Sequence, residues 1–302
     1  MNDYVTENER ILKEWQKAFI EDKKHEKKYN GEDIENFFAN DGIMNKGEFA
    51  FEENKSDGTI IRKPRGNENS LWNDCPLRVL FLTKEENTGG DENTVGDEAW
   101  DVRAETFHEK GDLLPPDNKT ISSSFFYCNE ACLLYGLLNT KPNKKILFDS
   151  FSWQEALEFS DEKIFARINC KKEVGGPSIS DYILQKEIDK YYDSLKAQII
   201  NLDADILICC GSQNYNNIIL ETVKKIYEDE YKEEFEYVDC VKDKGTGMHY
   251  NKKRNNLAID AYHLAYFKGG YKARYSEIID MYYEFLKHLK DTEGIDFSAA
   301  HR

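Results

Sequence analysis

The stretch LRVLFLTKEEN, residues 77–87, decides how the chain is read. Leu77–Leu82 is apolar throughout except for Arg78, and it gives way at once to Thr83-Lys84-Glu85-Glu86-Asn87. A short apolar run with no alternation fits a strand covered on both faces, as in a parallel sheet. The polar turn then marks the strand's carboxyl end.

Three further runs have the same form. Ile164–Ile168 ends at Asn169, Asp205–Cys210 ends at Gly211-Ser212, and Asn256–Tyr262 ends at His263. Helical spacing fills the intervals, over residues 121–140, 153–159, Tyr182–Asn201, 214–229 and, after the last strand, Tyr275–Leu289. Phe235–Val241 reads as one more strand. Strands alternating with helices predict an α/β fold with a central four-stranded, mainly parallel sheet flanked by helices.

Upstream of residue 76 the pattern changes. Ile11, Leu12, Trp15 and Phe19, then Ile34, Phe37 and Phe38, predict two helices joined near Asn30-Gly31. Residues 41–75 look irregular, with short strands at Glu48–Phe51 and Thr59–Arg62. The expected organisation is an N-terminal extension, 1–75, packed on an α/β domain, 76–302.

Composition narrows the classes. Of 302 residues, 40% are hydrophobic and 13% aromatic, enough for a substantial core. No run approaches the ~18 apolar residues of a membrane span. The opening MNDYVTENERILKEW lacks the apolar core of a signal peptide, so a cytoplasmic location is expected. The seven cysteines have irregular spacing and no C-x-x-C pair, which gives no support to an iron–sulfur cluster or a structural zinc site. Gly175-Gly176-Pro177 is a tight turn with neither phosphate-loop pattern. No metal or cofactor is expected, and a monomer is.

The net charge of −16 argues against nonspecific nucleic-acid binding over the whole surface. Two basic stretches remain as a local groove: Lys242, Lys244, Lys252, Lys253 and Arg254, then Lys268, Lys272 and Arg274. Solvated loop charges are the plain alternative for both.

In open α/β sheets the ligand site lies beyond the carboxyl ends of the strands. The four segments there bring a carboxylate pair, an amide, a small-residue turn and an imidazole, a set that suits many hydrolases. Their order is more specific. VLFLTKEEN, FARINCKK, ILICCGSQN and IDAYHLAYFKGGY resemble the successive motifs of the uracil-DNA glycosylase superfamily, over roughly residues 77–290. Thr83 stands at that family's usual Gly and Glu86 at its Pro, and His263-Leu264-Ala265 replaces His-Pro-Ser. These departures point to a remote branch, among whose relatives are anti-phage enzymes acting on modified cytosine.

The resemblance implies a role for each residue. Glu85, with Glu86 competing, supports the sugar cation or orients water. Asn169 reads the pyrimidine edge, where an amide offers donor and acceptor. His263 donates to the departing base. Phe267, or Tyr266, wedges into the DNA stack. Lys268, Lys272, Arg274 and Lys171 contact phosphates, with Lys171 and Lys172 also placed for a sugar hydroxyl. Trp100, Phe125, Phe126 and Tyr127 are candidates to stack on the flipped base. Each has an ordinary structural counterpart: loop carboxylates, an Asn cap, a backbone-bonded His, core aromatics.

The expected activity is therefore a metal-independent, monofunctional DNA glycosylase acting on uracil or a modified pyrimidine, glucosylated hydroxymethylcytosine of phage DNA included. It leaves an abasic site, in base-excision repair or anti-phage defence. The alternatives are a nucleoside or nucleotide hydrolase and a catalytically inactive DNA- or protein-binding module of the same fold.

Overall fold

The computed structural model describes residues 2–44, 50–53, 60–63, 66–89, 94, 96–99, 101–104, 122–176, 179–212, 217–239, 247–265 and 271–297. The chain opens with helix α1 (Tyr4–Lys23), strands β1 (Gly42–Ile43), β2 (Ala50–Glu53) and β3 (Ile60–Lys63), and helix α2 (Glu68–Asp74). Strand β4 (Val79–Thr83), helices α3 (Ser122–Asn139) and α4 (Trp153–Glu162), strand β5 (Ala166–Asn169), and helices α5 (Asp181–Lys190) and α6 (Tyr192–Leu202) follow. The rest is β6 (Ile206–Ser212), α7 (Ile218–Tyr231), β7 (Glu236–Tyr237), β8 (Met248–Asn251), β9 (Asn256–Tyr262) and α8 (Tyr271–Glu293).

The α/β class holds. The sheet does not have the expected four, mainly parallel strands. It is mixed and seven-stranded, in the order β1-β5-β4-β6-β9-β8-β7, and β2 and β3 pair separately. The four expected strands are β4, β5, β6 and β9. The added strands β1, β8 and β7 join antiparallel. Strand β7 falls within the strand expected at Phe235–Val241, and the sequences of β1 and β8 explain why those two escape a reading by periodicity. Gly42-Ile43 is too short to carry a period, and Met248-His249-Tyr250-Asn251 lacks an apolar run. A strand of this kind is made by the neighbour it pairs with.

Two compact units divide the chain. The first comprises Met1–Asp74, Leu80–Glu105 and Phe165–Asp203, so the N-terminal segment shares a unit with β4 and β5. Asp3 caps α1 by accepting from the Thr6 amide at 3.0 Å. Ile11, Leu12, Trp15 and Phe19 form its buried stripe. Trp15 and Phe19 pack on Phe38, with ring centroids 6.2 and 5.5 Å apart. Each such buried side chain contributes about 1.5–3 kcal/mol. The expected second helix is only a 3-10 turn, Ile34–Phe37, and a shorter one spans Lys27–Tyr29. Gly42, at φ +133°, occupies backbone that side chains avoid, and a Cβ there would stand 2.5 Å from Asn8 Nδ2.

The helix expected over Tyr182–Asn201 is broken at Tyr191, whose φ of −112° and ψ of 26° leave the helical region. Tertiary contacts stabilise the break: the Tyr191 hydroxyl donates to Asp22 at 3.0 Å and its ring lies 5.9 Å from Trp15. In β4 all five residues are buried, in parallel register with β5 from Leu80↔Ala166 to Thr83↔Asn169.

The second unit comprises Cys75–Val79, Thr106–Ile164 and Ala204–Arg302. Strand β6 runs parallel to β9, with a register shift between Cys210 and Ser212. Asn217 caps α7 through the amides of Ile219 and Leu220, at 3.1 and 3.2 Å. It also donates to Asp260 at 2.6 Å. A hairpin joins β8 to β9 with Asn251 opposite Asn256, and Asn255 takes the left-handed conformation (φ 58°) the turn needs. Cys75, Cys128, Cys132, Cys170, Cys209 and Cys210 are buried free thiols; Cys240 lies outside the described residues.

Candidate active site

The parallel pairing of β4 and β5 continues past both strand ends. The Cys170 amide donates to the Thr83 carbonyl and Lys171 to Lys84, each at 2.9 Å. Gly175 donates to Glu86 and Thr88 to Gly175, also at 2.9 Å. Residues 83–88 and 169–175 thus run side by side and carry their side chains into one place.

Glu85 is the centre of that place. Lys171 Nζ donates to Glu85 Oε2 at 2.5 Å and to the Glu173 carbonyl at 2.6 Å. Glu85 and Lys171 side chains are each only 7% exposed. The Glu85 carboxyl also lies against Gly175, where an added Cβ would meet Oε2 at 2.5 Å. Burial pushes the Glu85 carboxyl above the usual carboxylate range; Lys171 opposes that and is outweighed. Glu86, the neighbouring candidate, is buried and its carbonyl accepts from Gly175.

Asn169 ends β5 opposite Thr83 and is buried. The Thr83 hydroxyl donates to its Oδ1 at 2.6 Å. This bond fixes the amide so that its NH2 group points elsewhere, and that group makes no hydrogen bond among the described residues. The Asn169 backbone amide donates to Asp41 Oδ2 at 2.7 Å. Asp41 also accepts from Lys172 Nζ at 2.6 Å and Gln198 at 2.8 Å, all fully buried. Lys172 stands 4.8 Å from the Trp15 ring. Burial drives its ammonium down, against the pull of Asp41. Lys172 therefore holds the strand end together and has no exposed face for a sugar or phosphate.

Behind Lys171 stands Glu173, a residue that sequence reasoning passed over. Its carboxylate accepts from Lys23 at 2.8 Å, Tyr29 at 2.6 Å and Lys28 at 2.5 Å. Burial would raise this carboxyl, but Lys171, Lys23 and Lys28 outweigh it and hold it at about 2. One signal of the cluster was present in the sequence. Lys23 falls four residues after Phe19 on the apolar stripe of α1, where a cation needs a buried partner.

The second unit carries the remaining candidates. His263 follows β9, and its Nδ1 accepts from the Ala265 amide at 3.3 Å. That leaves the ring hydrogen of the neutral imidazole on Nε2. Phe126, on α3, lies 5.9 Å from the His263 ring. His263, Asn129, Tyr262, Leu264, Arg274 and Tyr275 line a small recess. Arg274 is paired with Glu277 at 2.7 Å and lies over Tyr262 at 4.1 Å. Lys272 pairs with Asp149. In the hairpin after β8, Lys252 pairs with Glu293 at 2.7 Å and Arg254 lies 3.8 Å over Tyr231.

The structure thus joins Glu85 to Lys171 and Asn169 to Thr83, and His263 to Phe126 near Arg274. Trp100, Tyr266, Phe267 and Lys268 lie outside the described residues, as do Lys242 and Lys244. Among the described residues no group of three or more His, Cys, Asp and Glu is arranged to hold a metal ion, and no helix is long and apolar enough to cross a membrane. Comparison with protein-family models, curated proteins and solved structures finds no match in any of the three.

Proposed function

We propose that the chain is a hydrolase of N-glycosidic bonds that excises uracil or a modified pyrimidine from DNA, with Glu85 as its base. The observation that carries this reading is the sheltered Glu85 carboxyl just past the end of β4, raised by burial and held by Lys171, two residues beyond the Thr83 that pairs with Asn169. A carboxylate with raised proton affinity is a better base for water than an exposed one. In the step proposed, Glu85 takes a proton from water as the water oxygen bonds to the sugar C1′. The C1′–N1 bond breaks with its electron pair leaving on the base. Positive charge that builds on the sugar is stabilised by the same carboxylate. The Asn169 NH2, with its oxygen committed to Thr83, offers a donor to a pyrimidine carbonyl. His263 offers an Nε2–H, the kind of donor that the departing base anion needs.

Base release from uracil-containing, hydroxymethylcytosine-containing and glucosylated phage DNA tests the proposal, with Glu85→Gln and His263→Ala as controls. Abasic sites made by the wild type and lost in both variants support it; no release from any substrate overturns it. A second reading, hydrolysis of a free nucleoside or nucleotide, is favoured by the state of the expected phosphate contacts. Lys171, Lys272 and Arg274 are each engaged by a carboxylate of the chain itself. Release from free nucleosides and nucleotides, with none from DNA, would decide for it.

A further inference from the structure

We propose that Glu173 is a positioning residue for the Glu85–Lys171 pair, and that Lys23, Lys28 and Tyr29 set, through it, the charge which that pair experiences. The inference rests on the reading of Glu85 as the site's base.

The connection runs through short contacts. Lys23, Lys28 and Tyr29 surround the Glu173 carboxylate at 2.8, 2.5 and 2.6 Å. Glu173 holds Lys171 twice: its backbone carbonyl accepts from Nζ at 2.6 Å, and its carboxylate stands 4.0 Å from the same nitrogen. Lys171 in turn meets Glu85 at 2.5 Å. The groups facing Glu85 are Lys171 and Glu173 from the segment after β5 and its own neighbour Lys84, which pairs with Asp181 of α5 at 3.2 Å. The groups facing Glu173 also include Glu187 of α5, 3.5 Å from Lys23, and Glu26 at 3.2 Å from Lys23.

Stability alone accounts poorly for this arrangement. Taking three ammonium groups and three carboxylates (Lys23, Lys28 and Lys171; Glu85, Glu173 and Glu187) out of water costs several kcal/mol for each ion. Well-packed apolar residues of similar volume would hold the segment at least as well. What apolar residues would not supply is a fixed negative charge behind Lys171. With it, Lys171 is shared between two carboxylates and neutralises Glu85 only in part. The C-terminal turn of α1 and the 3-10 turn after it therefore belong to the functional site.

The test is a 13C NMR titration of the Glu85 carboxyl in the full chain, assigned by loss of its signal in Glu85→Gln. In Glu173→Gln the midpoint moves to lower pH, by about 1 pH unit, because a like charge is gone. In Lys28→Met it moves to higher pH, because Glu173 is less neutralised. If Glu173→Gln does not fold, Lys28→Met decides alone. A midpoint unmoved in a folded variant overturns the proposal and leaves Glu173 a structural tie. This measurement needs no substrate, so it stands or falls separately from base release. If the wild type does release base, the acid limb of its pH profile shifts with the NMR midpoint in both variants.

Discussion

Glu85 Oε2 and Lys171 Nζ meet at 2.5 Å over Gly175, on two segments that continue the parallel pairing of β4 and β5 beyond the strands themselves. The ladder sets the spacing of the two side chains, and the missing side chain at 175 leaves room for the carboxylate. The pair is therefore a product of sheet register and of one glycine.

Gly175→Ala breaks this relationship from the backbone side. The added methyl would stand 2.5 Å from Glu85 Oε2, so the carboxylate has to leave its place against Lys171. The expected loss of stability is about 1–3 kcal/mol, read by urea denaturation. The Glu85 titration midpoint changes with it. A variant as stable as wild type with an unchanged midpoint would show that the carboxylate does not depend on this gap.

Acid should destabilise the first unit through Glu173. Its carboxyl titrates at about 2 in the fold, against an ordinary value of 4.5. A lowered value means that the stabilisation is complete above 4.5 and lost as pH falls from there towards about 2. The loss amounts to about 3 kcal/mol at most. Unfolding free energies measured at pH 6, 4 and 3 on wild type and Glu173→Gln check the sign: the difference between the two shrinks as pH falls. Glu85 works in the opposite sense. Its raised carboxyl favours the fold most at low pH and loses that contribution as pH rises through its folded value.

Lys172→Met leaves the fully buried Asp41 carboxyl with only neutral donors, Gln198 and the Asn169 amide. Breaking a buried pair this way costs about 3–5 kcal/mol. Denaturant melts measure it. The double variant Lys172→Met with Asp41→Leu recovers part of the loss, because no unpaired charge remains. A single variant within ~1 kcal/mol of wild type would mean that water reaches Asp41.

Lys171 should not form an adduct with an abasic sugar. Its Nζ donates to Glu85 and to the Glu173 carbonyl, at 2.5 and 2.6 Å, and its side chain is buried, so a sugar aldehyde reaches it only by breaking both contacts. Borohydride added during turnover is expected to trap no protein–DNA cross-link, and DNA strands remain intact until heated in alkali. A cross-link that disappears in Lys171→Met would replace the water mechanism with an amine one.

The legible features were those written as local pattern. Val79–Thr83, Ala166–Asn169, Ile206–Ser212 and Asn256–Tyr262 are strands because their apolar runs suit a covered sheet, and Glu85, Asn169 and His263 follow from where those runs stop. Gly42–Ile43 and Met248–Asn251 were not legible, because a short or polar strand takes its conformation from the neighbour that pairs with it. The break at Tyr191 has no Pro or Gly to announce it and depends on Asp22 and Trp15, residues more than a hundred positions away.

The sequence by itself determined the α/β class, the four parallel-type strands and the polar residues at their ends, since hydrophobic period and strand length are local quantities. Only the tertiary structure decided that Lys171 meets Glu85, that Lys172 is consumed by Asp41, and that Lys23, Lys28 and Tyr29 converge on Glu173. Burial makes each of these charges costly without a partner, and which partner arrives is settled by packing between segments far apart in the chain.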